Sequence, residues 1–326
     1  MKLSRRGVVV VVVLGLALLA GVAALSGSLT SGPDTAPPAS AQTVARTAAA
    51  SVAFDAAGGW VADDHTGTVQ HFDPSSGAAL GRTLHLGGRP ISVVSGFGHI
   101  WVADIDASVV NEINPTTDKV MGSPIAVAQG PVSLAAGDGG IWVASLLAGT
   151  VSVIDPRTDQ VQASVTLPDG AVRIALGSGW VWVSGQTDSL TRVDPRPVGG
   201  SLRFRTVTVG QGPIGVGVGD GSVWVANVKS GSVTRVDPGP LRVTATYPVT
   251  TAGGVPANPE MVAVWHNRVW VADGQQGVVV VLDPATGQQI GGPVVLPGVV
   301  RQLVLDPGGT LWATTANSDA VLRFSS

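Results

Sequence analysis

The chain has no cysteine among its 326 residues. Disulfides, thiolate metal sites, cysteine nucleophiles and a lipid anchor through an N-terminal cysteine are therefore excluded. In an oxidising compartment such a chain must draw its stability from its core and from closure of its fold. Glutamate is nearly absent: only Glu112 and Glu260 occur. Aspartate suits turns and glutamate suits helices, so the imbalance indicates an all-β chain. Charge is sparse as well, at 13% of residues with a net charge of -3 and no basic stripe. That argues against nucleic acid as a partner. Gly-x-Ser-x-Gly elbows, His-Glu-x-x-His helices and phosphate-cradling loops are also missing, and with them the commonest hydrolase, zincin and nucleotide signatures.

What the chain has in quantity is glycine (44), proline (22) and tryptophan (9). Seven tryptophans head a Trp-Val-Ala-Asp-like strand ending: Trp60, Trp101, Trp142, Trp182, Trp224, Trp270 and Trp312, spaced by 41, 41, 40, 42, 46 and 42 residues. A β-rich period in the low forties is the mark of a β-propeller. Length alone would permit two domains, but repeats that stack on one another make one. In one specimen repeat, runs at 132–136, 141–144, 150–154 and 161–167 are separated by Gly-Asp-Gly-Gly, Ala-Gly and Asp-Pro-Arg-Thr-Asp. This reads as a four-stranded antiparallel meander, one blade. The predicted fold is an all-β, seven-bladed propeller with blades near 50–86, 91–127, 132–167, 172–209, 214–250, 260–296 and 300–324. The last blade is one strand short. Residues 42–48 have no partner of their own and are expected to supply that strand, closing the ring and removing an open edge.

The Asp-Pro or Asn-Pro pairs at 73, 114, 155, 194, 237 and 283 recur once in each of the first six blades. Proline presets φ and the Asx side chain caps the turn, so these carboxylates read as turn residues rather than metal ligands. The tryptophan series reads as a packing wedge, with carbohydrate stacking as the functional alternative. Trp180 and Trp265 fall outside the series, beside turns, and read as local packing or as exposed contacts.

The N-terminus is a separate object. Lys2, Arg5 and Arg6 precede an uncharged apolar run from Gly7 to Leu25, and a Gly/Ser/Pro/Ala-rich stretch follows. The order is that of an export signal, and the run is long enough to span a bilayer as a helix. The expected organisation is a signal peptide or single transmembrane anchor over 1–25, a flexible linker over 26–41 and the propeller over 42–326. The propeller would lie outside the cytoplasm, anchored in the membrane or secreted after cleavage. A monomer is expected.

The unit Trp-Val-Ala…Gly-Thr-Val-x-x-Ile-Asp-Pro-x-Thr…Gly-x-Pro-x-x-Val-Ala-x-Gly resembles the YVTN-type β-propeller repeat, and is similar to the virginiamycin B lyase-like propellers. The resemblance covers nearly all of residues 42–326 and implies a seven-bladed fold. YVTN-type propellers are often exported, and some relatives are extracytoplasmic sensor domains. The lyases open a cyclic peptide lactone by elimination with a magnesium site, a histidine base and a glutamate. Here the pattern departs: none of His65, His71, His85, His99 and His266 falls where that base can be equated, and there are only two glutamates.

In a propeller the loops from outer strand to next inner strand share one face with the loops from second to third strand. The residues directly after Trp-Val-Ala are Asp63, Asp104, Ser145, Gly185, Asn227, Asp273 and, in the seventh repeat, Thr315. The starts of the inner strands carry Arg89, Gly130, Arg173, Gly212, Glu260 and Arg301. The candidate ligand-binding set is Asp63, Arg89, Asp104, Arg173, Asn227, Glu260, Asp273 and Arg301. The arginines could clamp an anion, while the carboxylates could neutralise them or hold a hard cation, Mg²⁺ or Ca²⁺. His65 is the one histidine placed near this face, and no catalytic residue is assigned. Two functions follow. One is a non-enzymatic binding, scaffold or sensor module for a small polar or anionic ligand or an extracytoplasmic protein. The other is a metal-dependent lyase or lactonase.

Overall fold

Short runs of β-branched and aromatic residues, broken every five to eight residues by residues at home at positive φ, dictate a meander of hairpins. The computed structural model describes residues 41–46 and 49–325. It has seven four-stranded antiparallel sheets, the blades of a propeller. The inner strands are Ala49–Phe54, Pro90–Gly96, Pro131–Gly137, Arg173–Gly177, Pro213–Gly219, Pro259–Trp265 and Val299–Leu305. In blades 1 to 6 the strands pair in chain order from the inner edge outward. In blade 7 the outer position is held by Ala41–Arg46, which pairs antiparallel with Ala320–Phe324. The expected helix at 1–25 lies outside the described residues, as does the linker apart from Ala41. Among the described residues no helix is long and apolar enough to cross a membrane.

The seven series tryptophans lie on the second strands and are essentially fully buried. Each is a wedge between neighbouring sheets. In blades 2, 3 and 4 the indole Nε1–H also donates to a backbone carbonyl in the hairpin below, at Gly96, Gly137 and Gly177. Trp265 is buried too. It donates to Gly309 O at 2.6 Å and packs on Trp270, so it staples blade 6 to blade 7. Trp180 is partly buried under the Arg192 guanidinium, 4.1 Å from its ring centroid. Both extra tryptophans therefore serve packing.

The Asx-Pro turns behave as expected. The side-chain Oδ1 of Asp73, Asn114, Asp155, Asp194, Asp237 and Asp283 each accepts the N–H two residues on. Around the channel a second series of bonds ties blades together. Ser51, Ser92 and Ser133 on the inner strands accept the N–H of Val93, Leu134 and Ile174 in the next blade. Gln302 of blade 7 accepts the N–H of Val52 in blade 1. Each bond satisfies a buried donor that an edge-on inner strand would otherwise leave bare.

Candidate functional site

At the mouth formed by the loops entering each inner strand, the residues after Trp-Val-Ala are held by the backbone. Asp63 Oδ1 accepts the N–H groups of His65 and Thr66. Asp104 Oδ1 accepts those of Arg89, Asp106 and Ala107. Asp273 takes three in the same way, from Gln275 and Gln276 through Oδ1 and from Asn258 through Oδ2. These carboxylates fix the turn between second and third strands, and in blades 2 and 6 also fasten the chain entering the same blade. Asn227 holds the equivalent step with an amide. Fully buried, it donates to Ser232 and to Thr234 Oγ1, and its Oδ1 has no hydrogen-bond partner among the described residues.

The four charged residues near the inner-strand starts do not occupy equivalent steps. Strand register separates them. Most inner strands carry a bulge at their second residue, where two residues oppose one on the neighbour. Glu260 is such a residue, between Pro259 and Met261. Arg301 is also a bulge residue, at the third position of its strand, between Val300 and Gln302. Arg173 instead pairs directly with Ser184 and stands where blades 1 to 3 have the serine of the inter-blade belt. Arg89 precedes its strand altogether. A bulge adds a residue and re-aims its side chain, and counting from the strand start cannot see it.

Arg173 is buried, and its Nη2 donates to Met261 Sδ at 3.1 Å, joining blade 4 to blade 6 across the intervening blade 5. Met261 and Gly215 are the belt residues of blades 6 and 5, so the serine pattern is broken here in three successive blades. At Gly215 a Cβ would lie 2.6 Å from Glu260 O and 2.9 Å from Met261 Cα, and only glycine permits so close an approach of the two backbones. The blade 4 to blade 5 link passes to Ser184, whose hydroxyl donates to Ile214 O. Burial pushes the Arg173 guanidinium down to about 9, with the Glu260 charge opposing the fall. Burial likewise pushes the Glu260 carboxyl up to about 7, with Arg173 opposing and Asp273 adding to the rise. Glu260 Oε2 is buried and has no hydrogen-bond partner among the described residues.

Across the channel, Arg301 makes a forked pair with Asp64, Nη1 to Oδ1 at 2.8 Å and Nη2 to Oδ2 at 3.2 Å. Both side chains are largely buried. Burial alone would raise the Asp64 carboxyl, but the Arg301 hydrogen bonds and charge, with a smaller contribution from His65, hold it below its ordinary value. His65 is exposed, with Nδ1 3.2 Å from Asp64 Oδ1. Asp63, Asp64 and His65 offer ligand atoms within 4.8 Å of one another. The first two are already engaged, by backbone N–H groups and by Arg301. Arg89 lies at the rim and faces Asp106, Nε to Oδ2 at 3.4 Å, with both side chains substantially exposed.

Sequence reasoning left out Asp64, Asp106 and Met261, the partners that complete these arginines. Asp64 and Asp106 follow the turn-capping aspartates, a weak signal in hindsight. Nothing in the sequence marked Met261. His71 and His99 are structural in place. His71 stacks on Trp60 and faces Asp118 at 3.1 Å, and His99 pairs with Glu112.

No protein-family model and no curated protein matches the sequence. The fold is similar to solved propellers of very different kinds. A selenomethionine-substituted virginiamycin B lyase from Staphylococcus aureus aligns with TM-score 0.73 at 13% identity, covering 88% of this chain and 99% of the lyase. The hydrazine synthase of Kuenenia stuttgartiensis aligns with TM-score 0.69 at 13% identity, over 87% and 97%. The WD40 repeats of RRP9 align with TM-score 0.72 at 12% identity, over 89% and 98%. Lyase, synthase and WD40 repeats share the fold, so the likeness is one of architecture.

Proposed function

We propose that this propeller is a non-enzymatic binding or sensor module that takes a small polar or anionic ligand, or an extracytoplasmic protein, at its charged mouth. The observation that carries this is the matching of each mouth arginine by a carboxylate: Arg301 with Asp64, Arg89 with Asp106, and Arg173 within electrostatic reach of Glu260. Such a mouth offers an anion a ready guanidinium fork in exchange for an internal partner. It leaves few carboxylates to hold a metal. With its carboxyl near neutrality, Glu260 can donate or accept a hydrogen bond, so affinity should change between pH 6 and 8.

The N-terminal basic residues and the apolar run from Gly7 to Leu25 support export, with the propeller anchored by that run or released by cleavage. The pairing of residues 41–46 with the last blade supports a ring closed by the N-terminal strand. The second reading is a metal-dependent lyase or lactonase. It is favoured by the fold shared with virginiamycin B lyase and by the Asp63, Asp64 and His65 group.

A thermal-shift screen separates the two. On the binding reading, a small carboxylate or phosphate raises Tm in the native protein and not in the Arg301→Ala variant. Mg²⁺, Ca²⁺ and EDTA leave Tm unchanged. A Tm rise with Mg²⁺ or Ca²⁺ that EDTA reverses would overturn the binding reading in favour of the metal enzyme. N-terminal sequencing of the mature protein by mass spectrometry distinguishes anchor from cleaved signal.

A further inference from the structure

The opposite mouth of the channel, ringed by the hairpins between inner and second strands, has a different chemistry. A cavity of about 310 Å³ opens there against blades 7, 1, 2 and 3. Side-chain volume at one step of the inner strands varies around the ring, with Phe54 and Leu305 of blades 1 and 7 forming walls of the cavity. In blades 4 to 6 that step is filled by Leu176, Val218 and Val264, while blades 2 and 3 carry only Ser95 and Ala136. A space of this size with apolar walls matches the lower end of small-molecule sites.

Two features give the cavity a direction. The first is Phe97, which lines it, is 50% exposed and has φ 55°. The equivalent first turn residues in blades 3, 4 and 5 are Asp138, Ser178 and Asp220, each followed by glycine. A two-residue turn with both φ positive prefers Asn, Asp or Gly, and a bulky aromatic there is a local conflict. Such conflicts gather where a residue serves something other than folding. The second feature is charge. Asp55 is the one ionisable residue among those lining the cavity, which include no Lys, Arg or His. The turn uses only one of its oxygens, Oδ1, to accept the N–H groups of Ala57 and Gly58.

We propose that this mouth is a second binding site, for a small amphiphile with an apolar body and a cationic ammonium head. The body fills the space beside Ser95 and Ala136 under the Phe97 ring, and the head meets Asp55 at the rim. The site stands apart from the charged mouth and does not depend on the reading given to it.

The test is calorimetric titration of the full chain with n-octylammonium, n-octanol and n-octanoate. Saturable one-to-one binding of octylammonium is expected, at least tenfold tighter than octanol, with no binding of octanoate. Ala136→Leu and Ser95→Val each fill the cavity and should weaken octylammonium at least tenfold. Asp55→Asn keeps the turn cap, removes the charge and should reduce octylammonium to the level of octanol. Phe97→Asn removes the ring, adds no charge and takes a residue at home at this turn's positive φ. It should weaken binding at least tenfold while leaving Tm equal or higher, an outcome that a purely structural Phe97 would not give. The proposal is overturned by the absence of saturable binding, by equal affinity for octanol or octanoate, by affinity untouched in both cavity-filling variants, or by a lowered Tm in Phe97→Asn.

Discussion

Glu260 shows how a single residue acquires its properties from its surroundings. On an exposed strand start it would be an ordinary carboxylate. As the bulge residue of blade 6 it is buried beside Arg173 and Asp273, and burial dominates, lifting its carboxyl from 4.5 to about 7. The folded protein therefore holds this proton more tightly than the unfolded chain does. The stability linked to it is full below pH 4.5 and is lost as pH rises through about 7. The loss is on the order of 3 kcal/mol if the whole shift is expressed. Glu260→Gln, which cannot ionise, should flatten the fall in Tm between pH 5 and 8 and leave the variant the more stable form at pH 8. A native profile already flat over this range would show that Glu260 stays charged against Arg173. Asp64 is the opposite case: its depressed carboxyl contributes stability at neutral pH that fades only as pH falls below the ordinary carboxylate range.

At the scale of the element, the blade repeats its tryptophan more faithfully than it repeats the tryptophan's hydrogen bond. Trp101, Trp142 and Trp182 donate to the hairpin beneath them. Trp60 and Trp224 are as deeply buried, yet their Nε1 atoms have no partner among the described residues. Packing is thus the common role and the bond an addition in some blades. Replacing either kind by phenylalanine removes similar buried volume, but only Trp101→Phe also strands a carbonyl, at Gly96. Trp101→Phe should therefore be more destabilising than Trp60→Phe by about 1 kcal/mol, a difference of a few degrees or less in Tm. Equal shifts would show that the indole bond contributes nothing net. The blade pattern itself, four strands with a capped Asx-Pro turn, was legible from the repeat. The inner-strand bulges were not, because a bulge is a relation between two strands and leaves no residue signature in one. That is why Arg89, Arg173, Glu260 and Arg301, all near inner-strand starts in the sequence, end in three different situations.

At the scale of the molecule, stability depends on how blade 7 meets blade 1. Three contacts cross that seam or complete the blade beside it. The strand Ala41–Arg46 pairs with Ala320–Phe324 and continues toward Ala49–Phe54 in blade 1. Gln302 accepts the Val52 N–H. Arg301 forks onto Asp64, a largely buried pair whose disruption from one side costs about 3–5 kcal/mol. On the proposed closure by the N-terminal strand, deleting residues 42–48 should lower Tm sharply, since it opens a sheet edge and unlinks the ends of the ring. Combining that deletion with Arg301→Ala should depart from additivity, because both act on one seam. An unchanged Tm after the deletion would contradict closure by the N-terminal strand.

The architecture is legible in the chain alone. A tryptophan every forty-odd residues, turn residues at fixed offsets and the near absence of glutamate can be satisfied together only by stacked four-stranded meanders, and both propensity and packing are local enough to be read from one chain. The sequence also placed charge near one mouth and named Arg173, Glu260 and Arg301. What those charges do was set by the folded ring. Asp64 reaches Arg301 from 237 residues away in sequence, and Met261 meets Arg173 from 88 residues away. Glu260 is lifted toward neutrality by burial that three blades create together. The apolar mouth arises the same way, from small residues in blades 2 and 3 set against larger ones elsewhere in the ring. Repeats are read along the chain, but a channel is built across it, and partners at its centre are set by ring geometry rather than by distance in sequence.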